Sequence, residues 1–167
     1  AGDRSAARLN VSWRDRLWDA STFVKRVGDG FNPGMGFVQR NGMKQVYATL
    51  GAHPAPDIRF VAEMNPYAEV NAISNLAGVL ESRDITAGLD VELNSGSAVS
   101  VRQTNNYDRL DKVTAISGVN VPAGTYRFNE TAFSFTPNAS GVVSATLSGS
   151  RGGFYDGDRT AMSASLL

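Results

Sequence analysis

Apolar and polar residues alternate with a period of two along most of the chain, and no helical stripe is sustained over three turns. Leu9, Val11 and Trp13 alternate with Arg8, Asn10 and Ser12, and Trp18, Ala20, Thr22 and Val24 with Asp19, Ser21, Phe23 and Lys25. The same pattern sets Val46, Ala48 and Leu50 against Gln45, Tyr47 and Thr49, and Ile58, Phe60, Ala62 and Met64 against Arg59, Val61 and Glu63. It returns with Ile85, Ala87, Leu89, Val91 and Leu93, with Val99 and Val101, with Val143, Ala145 and Leu147, and with Met162, Ala164 and Leu166. Each segment reads as a strand with one apolar and one polar face. Leu76, Val79 and Leu80 fit at most one helical turn. Between Tyr126 and Phe135 the aromatic residues change parity, which fits either a bulge near Asn129–Glu130 or a strand with rings on both faces. The pattern predicts an all-β chain of about nine strands.

The links between strands sharpen this picture. They run short at 14–16, long at 27–42, short at 53–57, longer at about 74–82, short at 94–96, long at 105–124, short at 136–141 and middling at 151–158. The short ones carry turn chemistry, as in Pro54-Ala55-Pro56-Asp57 and Asn94-Ser95-Gly96. Strict alternation of short and long links predicts an antiparallel up-and-down meander with its loops sorted by end, the pattern of a transmembrane β-barrel. The polar positions Asp19, Lys25, Arg59, Glu63, Asp90, Glu92 and Arg102 would then line a lumen. In a soluble β-sandwich, the alternative, the same positions would be the outside. The many Ala residues on the apolar faces suit lipid better than a close-packed core. Trp13, Trp18, Tyr47, Tyr67, Tyr126 and Tyr155 are expected near strand ends, where aromatic girdles sit.

Composition narrows the chemistry. The 167 residues include 16 basic and 16 acidic side chains, a balance that lacks the footprint of a nucleic-acid partner. With no Cys, disulfides and thiolate sites are excluded, and His53 as the only His makes a His-based triad or metal site improbable. Charged residues make up 19% and hydrophobic ones 42%, so the chain is short of charge without being rich in apolar residues. No apolar run is long enough for a membrane-spanning helix, which bears on helices alone.

The motifs offer little catalysis. Gly28-Asp29-Gly30 to Gly36 lacks the Lys-Ser/Thr and following helix of a phosphate loop. His53 beside Pro54 reads as a surface residue in a turn, and Asp156-Gly157-Asp158 as a turn rather than a calcium loop. Glu63, Glu69, Asp90 and Glu92 could face one another as carboxylate pairs, although solvated strand charges explain them equally well. No catalytic, cofactor or metal residue is assigned.

Three segments carry a family resemblance. Val27-Gly28-Asp29-Gly30-Phe31-Asn32-Pro33-Gly34-Met35-Gly36-Phe37-Val38-Gln39-Arg40 resembles the signature G-D-x-F-N-P-x-x-G-F-x-x-R of a bacterial C-terminal outer-membrane β-barrel domain of unknown function. That domain usually follows one similar to family 9 carbohydrate-binding modules. Val119-Asn120-Val121-Pro122-Ala123-Gly124-Thr125-Tyr126-Arg127-Phe128 is similar to the family's V-x-I-P-x-G-x-Y-x-F stretch. Gly153-Phe154-Tyr155-Asp156-Gly157-Asp158-Arg159 is similar to its G-x-F-Y-D-G-x-R turn. All three stand in the family's order. Family members are several times longer, with further strands.

The expectation is therefore a single β-domain over 1–167 that forms a piece of a larger barrel in a bacterial outer membrane; a periplasmic or secreted location goes with the sandwich alternative. The resemblance implies a pore or uptake role for a small solute, carbohydrate-related by association. A soluble glycan-binding module and, last, a glycoside-processing enzyme are the other readings. Expected partners are outer-membrane lipid, the missing strands from the same or another chain, and a small solute or glycan; no nucleic acid and no cofactor are expected. The residues singled out for a loop or lumen site are Phe31, Asn32, Phe37, Arg40, Arg127, Tyr155 and Asp156, with loop architecture favoured over binding for the first motif.

Overall fold

The computed structural model describes residues 2–34, 40–116, 118–138 and 145–166. Nine strands form one antiparallel sheet in sequential order: β1 (Ala6–Arg14), β2 (Trp18–Val27), β3 (Met43–Ala52), β4 (Val61–Asn75), β5 (Leu80–Leu93), β6 (Ala98–Leu110), β9 (Gly124–Thr136), β10 (Ala145–Phe154) and β11 (Gly157–Leu166). A small separate hairpin, β7 (Thr114–Ile116) and β8 (Val119–Val121), fills the β6–β9 loop. No helix occurs among the described residues. The expected meander of about nine strands is present. Leu76 to Val79 makes a tight turn rather than a helical one, closed by hydrogen bonds between Asn75 and Val79. Among the described residues no ladder joins β1 to β11, so the sheet has two free edges.

The loops only partly follow the expected order. Both long ones, 28–42 and 111–123, lie at one end, here termed the long-loop end. That end also holds two short connections: β4–β5 turns within 76–79, and β10–β11 turns through Tyr155-Asp156 alone. Links that read as longer (74–82) and middling (151–158) are thus hairpins. Polar residues at the strand ends conceal the continuing ladders.

Apart from register shifts near the two ends of the β4–β5 ladder, at Val61/Glu63 and Ile73/Ser74, the pairings run without a break, so the two faces follow from parity. From Gly124 to Thr136 the β6–β9 ladder has no bulge. Phe133 and Phe135 therefore share a face with Val101 and Val99, and Tyr126 and Phe128 lie on the other; the strand carries rings on both faces. Pro66 sits inside β4, where its missing N–H would normally break a ladder. The β3–β4 pairing ends at Gly51 and Tyr67, and the N–H of Met64, on the same side of the strand as the Pro66 nitrogen, bonds Pro54 O instead. The missing donor therefore points where the ladder has already stopped.

Packing is inverted relative to a soluble sheet. Among the described residues only Val27, Met43, Ala52 and Val121 form a buried apolar set. The apolar face is the exposed one: Leu9 is 67% exposed, Phe133 51% and Met162 85%. Along β9 the polar-face residues Tyr126, Phe128, Glu130, Ala132 and Ser134 are half-buried, and the residues between them are exposed. The chain exposes 11208 Å², against roughly 8000 Å² expected of a compact 17.8 kDa monomer. Strand β1 is exposed at every residue.

The apolar face is a band, and the band slopes. On β3 and β4 it reaches up to Val46 and Ala72; on β5 it stops at Ile85, with Arg83 above. Across the ladder from Ile85 stand Asn105 and then Asn129, both polar, and β6 and β9 become apolar only lower down, at Val101 and Phe133. A flat apolar slab crossed by tilted strands leaves this diagonal trace on the register.

Candidate functional site

The polar face is built from alternate residues of every strand, and its centre is a cleft of about 500 Å³. Tyr67, Glu69, Thr86, Arg102, Thr104 and Glu130 line it. Register brings them together: Glu69, Thr86, Thr104 and Glu130 are successive cross-strand partners. Side chains bond along the face, Gln45 Nε2 to Asn71 Oδ1 at 2.8 Å, Tyr47 OH to Glu69 at 3.1 Å, and Thr86 to Thr104 at 3.0 Å. Phe23 stacks on Tyr47 at 5.3 Å, with the Arg8 guanidinium 4.1 Å from the Phe23 ring centre. The result is a mixed-charge surface, rich in donors and acceptors, of the sort that suits polar solutes.

Gly88 is part of this construction. Its direct partner Tyr67 lays its ring over the Gly88 Cα, where any Cβ would collide with the ring. The aromatic side chain covers a strand position that has none of its own. Tyr47 and Tyr67 thus stand in mid-strand on the polar face, and the expected girdle of strand-end aromatics does not include them. Trp13 and Trp18 do lie at strand ends, exposed on the apolar face.

At the long-loop end the polar face is closed by an aromatic cluster. Tyr155 packs against Tyr126 (5.2 Å), Phe128 (5.3 Å) and Phe154 (5.0 Å), and its hydroxyl donates to Asp108 Oδ2 at 2.8 Å. Burial, followed by this carboxylate, pushes the Tyr155 phenol up to about 12. Its φ of 55° is a left-handed conformation that a two-residue hairpin ordinarily gives to glycine. The ring contacts offset a backbone strain of about 1 kcal/mol.

At the opposite end His53 joins three strands. Its Nε2 is 3.1 Å from Asp19 Oδ1, and its Nδ1 is 3.3 Å from Glu63 Oε1 and 2.6 Å from the Asn65 amide. The reading of His53 as a plain surface residue is corrected: it is half-buried and held by two carboxylates. Hydrogen bonding to Asn65, then to Asp19 and Glu63, raises its pKa. With the ring neutral, Asn65 turned over donates to both Nδ1 and Glu63, so ring charge and amide orientation are linked. Among the described residues no cluster of His or carboxylates is arranged for a metal. Glu63 and Glu92 are cross-strand partners, and Asp90 and Glu69 share their face.

The seven residues singled out from the motifs do not form one site. Phe31, Asn32 and Arg40 shape the 28–42 loop: the Phe31 carbonyl accepts from Asn41, Asn32 Oδ1 accepts from Gly34 N, and Arg40 pairs with Glu81 at 2.5 Å. Phe37 lies outside the described residues. The loop base is tied to the start of the chain through Asp3 and Asp29. Bonds from Ser5, then Arg26, draw the Asp3 carboxyl down to about 2. Arg127 lies on the apolar face's side of β9, Tyr155 on the polar side, and Asp156 is exposed in the hairpin. Among the described residues no hydrogen bond, ion pair or ring contact joins the first motif to the others. The cleft residues Tyr67, Thr86, Thr104 and Glu130 were not legible as a set, because sequence gives parity within a strand but not register between strands.

Comparison of the chain with protein-family models, curated proteins and solved structures finds no match.

Proposed function

We propose that the chain is a segment of a bacterial outer-membrane β-barrel whose polar face lines a passage for a small polar solute. The inverted packing carries this reading: Leu9, Val24, Leu50, Ile85, Val101 and Phe133 are exposed, while Glu69, Asn71, Asp84 and Glu130 are half-buried on the other face. Water makes that arrangement costly, at roughly 25 cal/mol per Å² of apolar surface, and lipid removes the cost. The sloping apolar band supports it, as does the free edge of β1, which lipid would not tolerate unpaired. Further strands, from the same or another chain, would close the barrel. The three ordered motifs support the family resemblance, and with it a carbohydrate-related solute.

The test is solubility followed by permeation. The chain with its native flanks is expected to need detergent to stay monodisperse, and in vesicles to admit small sugars. A monodisperse sample in plain buffer would refute the barrel. Sealed vesicles containing inserted protein would refute the passage alone.

A further inference from the structure

Above the rim of the apolar band, three cross-strand partners form a row: Arg83 on β5, Tyr107 on β6 and Arg127 on β9. Both guanidiniums approach the same ring from its two neighbouring strands, Arg83 Cζ at 5.9 Å and Arg127 Cζ at 5.6 Å from the Tyr107 centre. Arg83 Nη2 donates to Asn105 Oδ1 at 3.2 Å, and Asn105 in turn donates to Asn129 at 2.8 Å. Arg83 Nε is buried with no hydrogen-bond partner. A buried donor on a charged group left unmade is costly.

Among the described residues no carboxylate forms an ion pair with Arg83 or Arg127. Three acidic groups at this end are engaged elsewhere: Glu81 with Arg40, Asp111 with Arg109 at 3.0 Å, and Asp108 with Tyr155 across the sheet. Directly below the row, Ile85 begins the apolar band. Lys44 and Arg151 stand on the same side of β3 and β10, and Arg26 on β2 is paired with Asp3.

A ligand suited to this place has an anionic oxygen head and an apolar tail descending over Ile85 and Val101. We infer that Arg83, Tyr107 and Arg127 bind the headgroup phosphate of a net-anionic lipid. The inference rests on the membrane reading above. Two planar guanidiniums match phosphate oxygens, and the Tyr107 ring holds them in place.

The experiment uses the full chain in dodecyl maltoside, with phosphatidylglycerol, phosphatidylcholine or inorganic phosphate added and bound molecules counted by native mass spectrometry. Wild type is expected to prefer phosphatidylglycerol roughly thirtyfold, at about fivefold per basic residue. Arg83→Gln with Arg127→Gln should abolish the preference, Arg127→Gln alone should lower it about fivefold, and Arg16→Gln with Arg59→Gln, at the opposite end, should leave it intact. The single exposed-site variant keeps the test decisive if the double variant fails to fold. Equal binding of the two lipids, an equal loss in the distant pair, or displacement of lipid by inorganic phosphate at matched concentration would each overturn the site. A detergent-requiring chain without lipid preference refutes this inference alone; a chain that needs no detergent refutes the membrane reading beneath it.

Discussion

On β5 the apolar-side positions below Arg83, namely Ile85, Ala87, Leu89, Val91 and Leu93, are apolar without interruption. On β9 the equivalent side reads Thr125, Arg127, Asn129, Thr131, Phe133 and Phe135, polar for two-thirds of its length. Both strands sit in one continuous register, two ladders apart. The difference cannot come from strand geometry, which is the same. It reflects where each strand leaves an apolar layer that crosses the sheet obliquely. Strand length and apolar length are therefore separate quantities here.

The largest effect should come from placing one charge on each side of this boundary. Ala87 and Thr131 lie in the same cross-strand row, joined through Gln103. Ala87→Arg should destabilise the vesicle-inserted protein by about 2–4 kcal/mol and Thr131→Arg by no more than about 1, read from urea midpoints. Equal costs would remove the sloping band.

Next in size is Gly88→Ala, which drives a Cβ into the Tyr67 ring and should cost about 1–3 kcal/mol. Adding Tyr67→Ala should recover part of the loss, because the clash goes with the ring; strict additivity would mean the ring does not cover Gly88.

Tyr155→Phe should cost about 1 kcal/mol through the lost bond to Asp108. In the wild type one tyrosine should titrate at about 12 in a spectrophotometric titration, and the variant should lack that step.

The smallest effect concerns His53. Its pKa is raised on folding, so its stabilising contribution is fully present below the unfolded value near 6.5 and fades as pH rises through the folded one. His53→Gln should flatten the pH dependence of the urea midpoint in that window, and an unchanged slope would show that Asp19 and Glu63 do not act on the ring.

The contrast between β5 and β9 also explains what was legible in the chain. Strands with a long unbroken apolar side, such as β5 from Ile85 to Leu93, declare themselves by alternation. The upper part of β6, from Asn105 to Leu110, is mostly polar on both sides and reads as loop, yet its ladder with β9 runs to Leu110 and Gly124. The Tyr155-Asp156 hairpin hid in the same way, flanked by Gly152, Gly153 and Asp158. The motif residues Phe31, Asn32 and Arg40 announced a shaped loop, and loop architecture is what their contacts provide.

Period-two alternation, a property of neighbouring residues along one strand, was enough to determine an all-β chain and its two chemically distinct faces, and the succession of links pointed to the sequential meander. Which face is enclosed, which residues meet across it and how the apolar band tilts were decided by tertiary structure, since each depends on the register between strands. That register put Tyr67 over Gly88, assembled Glu69, Thr86, Thr104 and Glu130 into a cleft, and aligned Arg83, Tyr107 and Arg127 in one row. Partners in such a row stand up to tens of residues apart in the chain, and local pattern carries no signal over that distance.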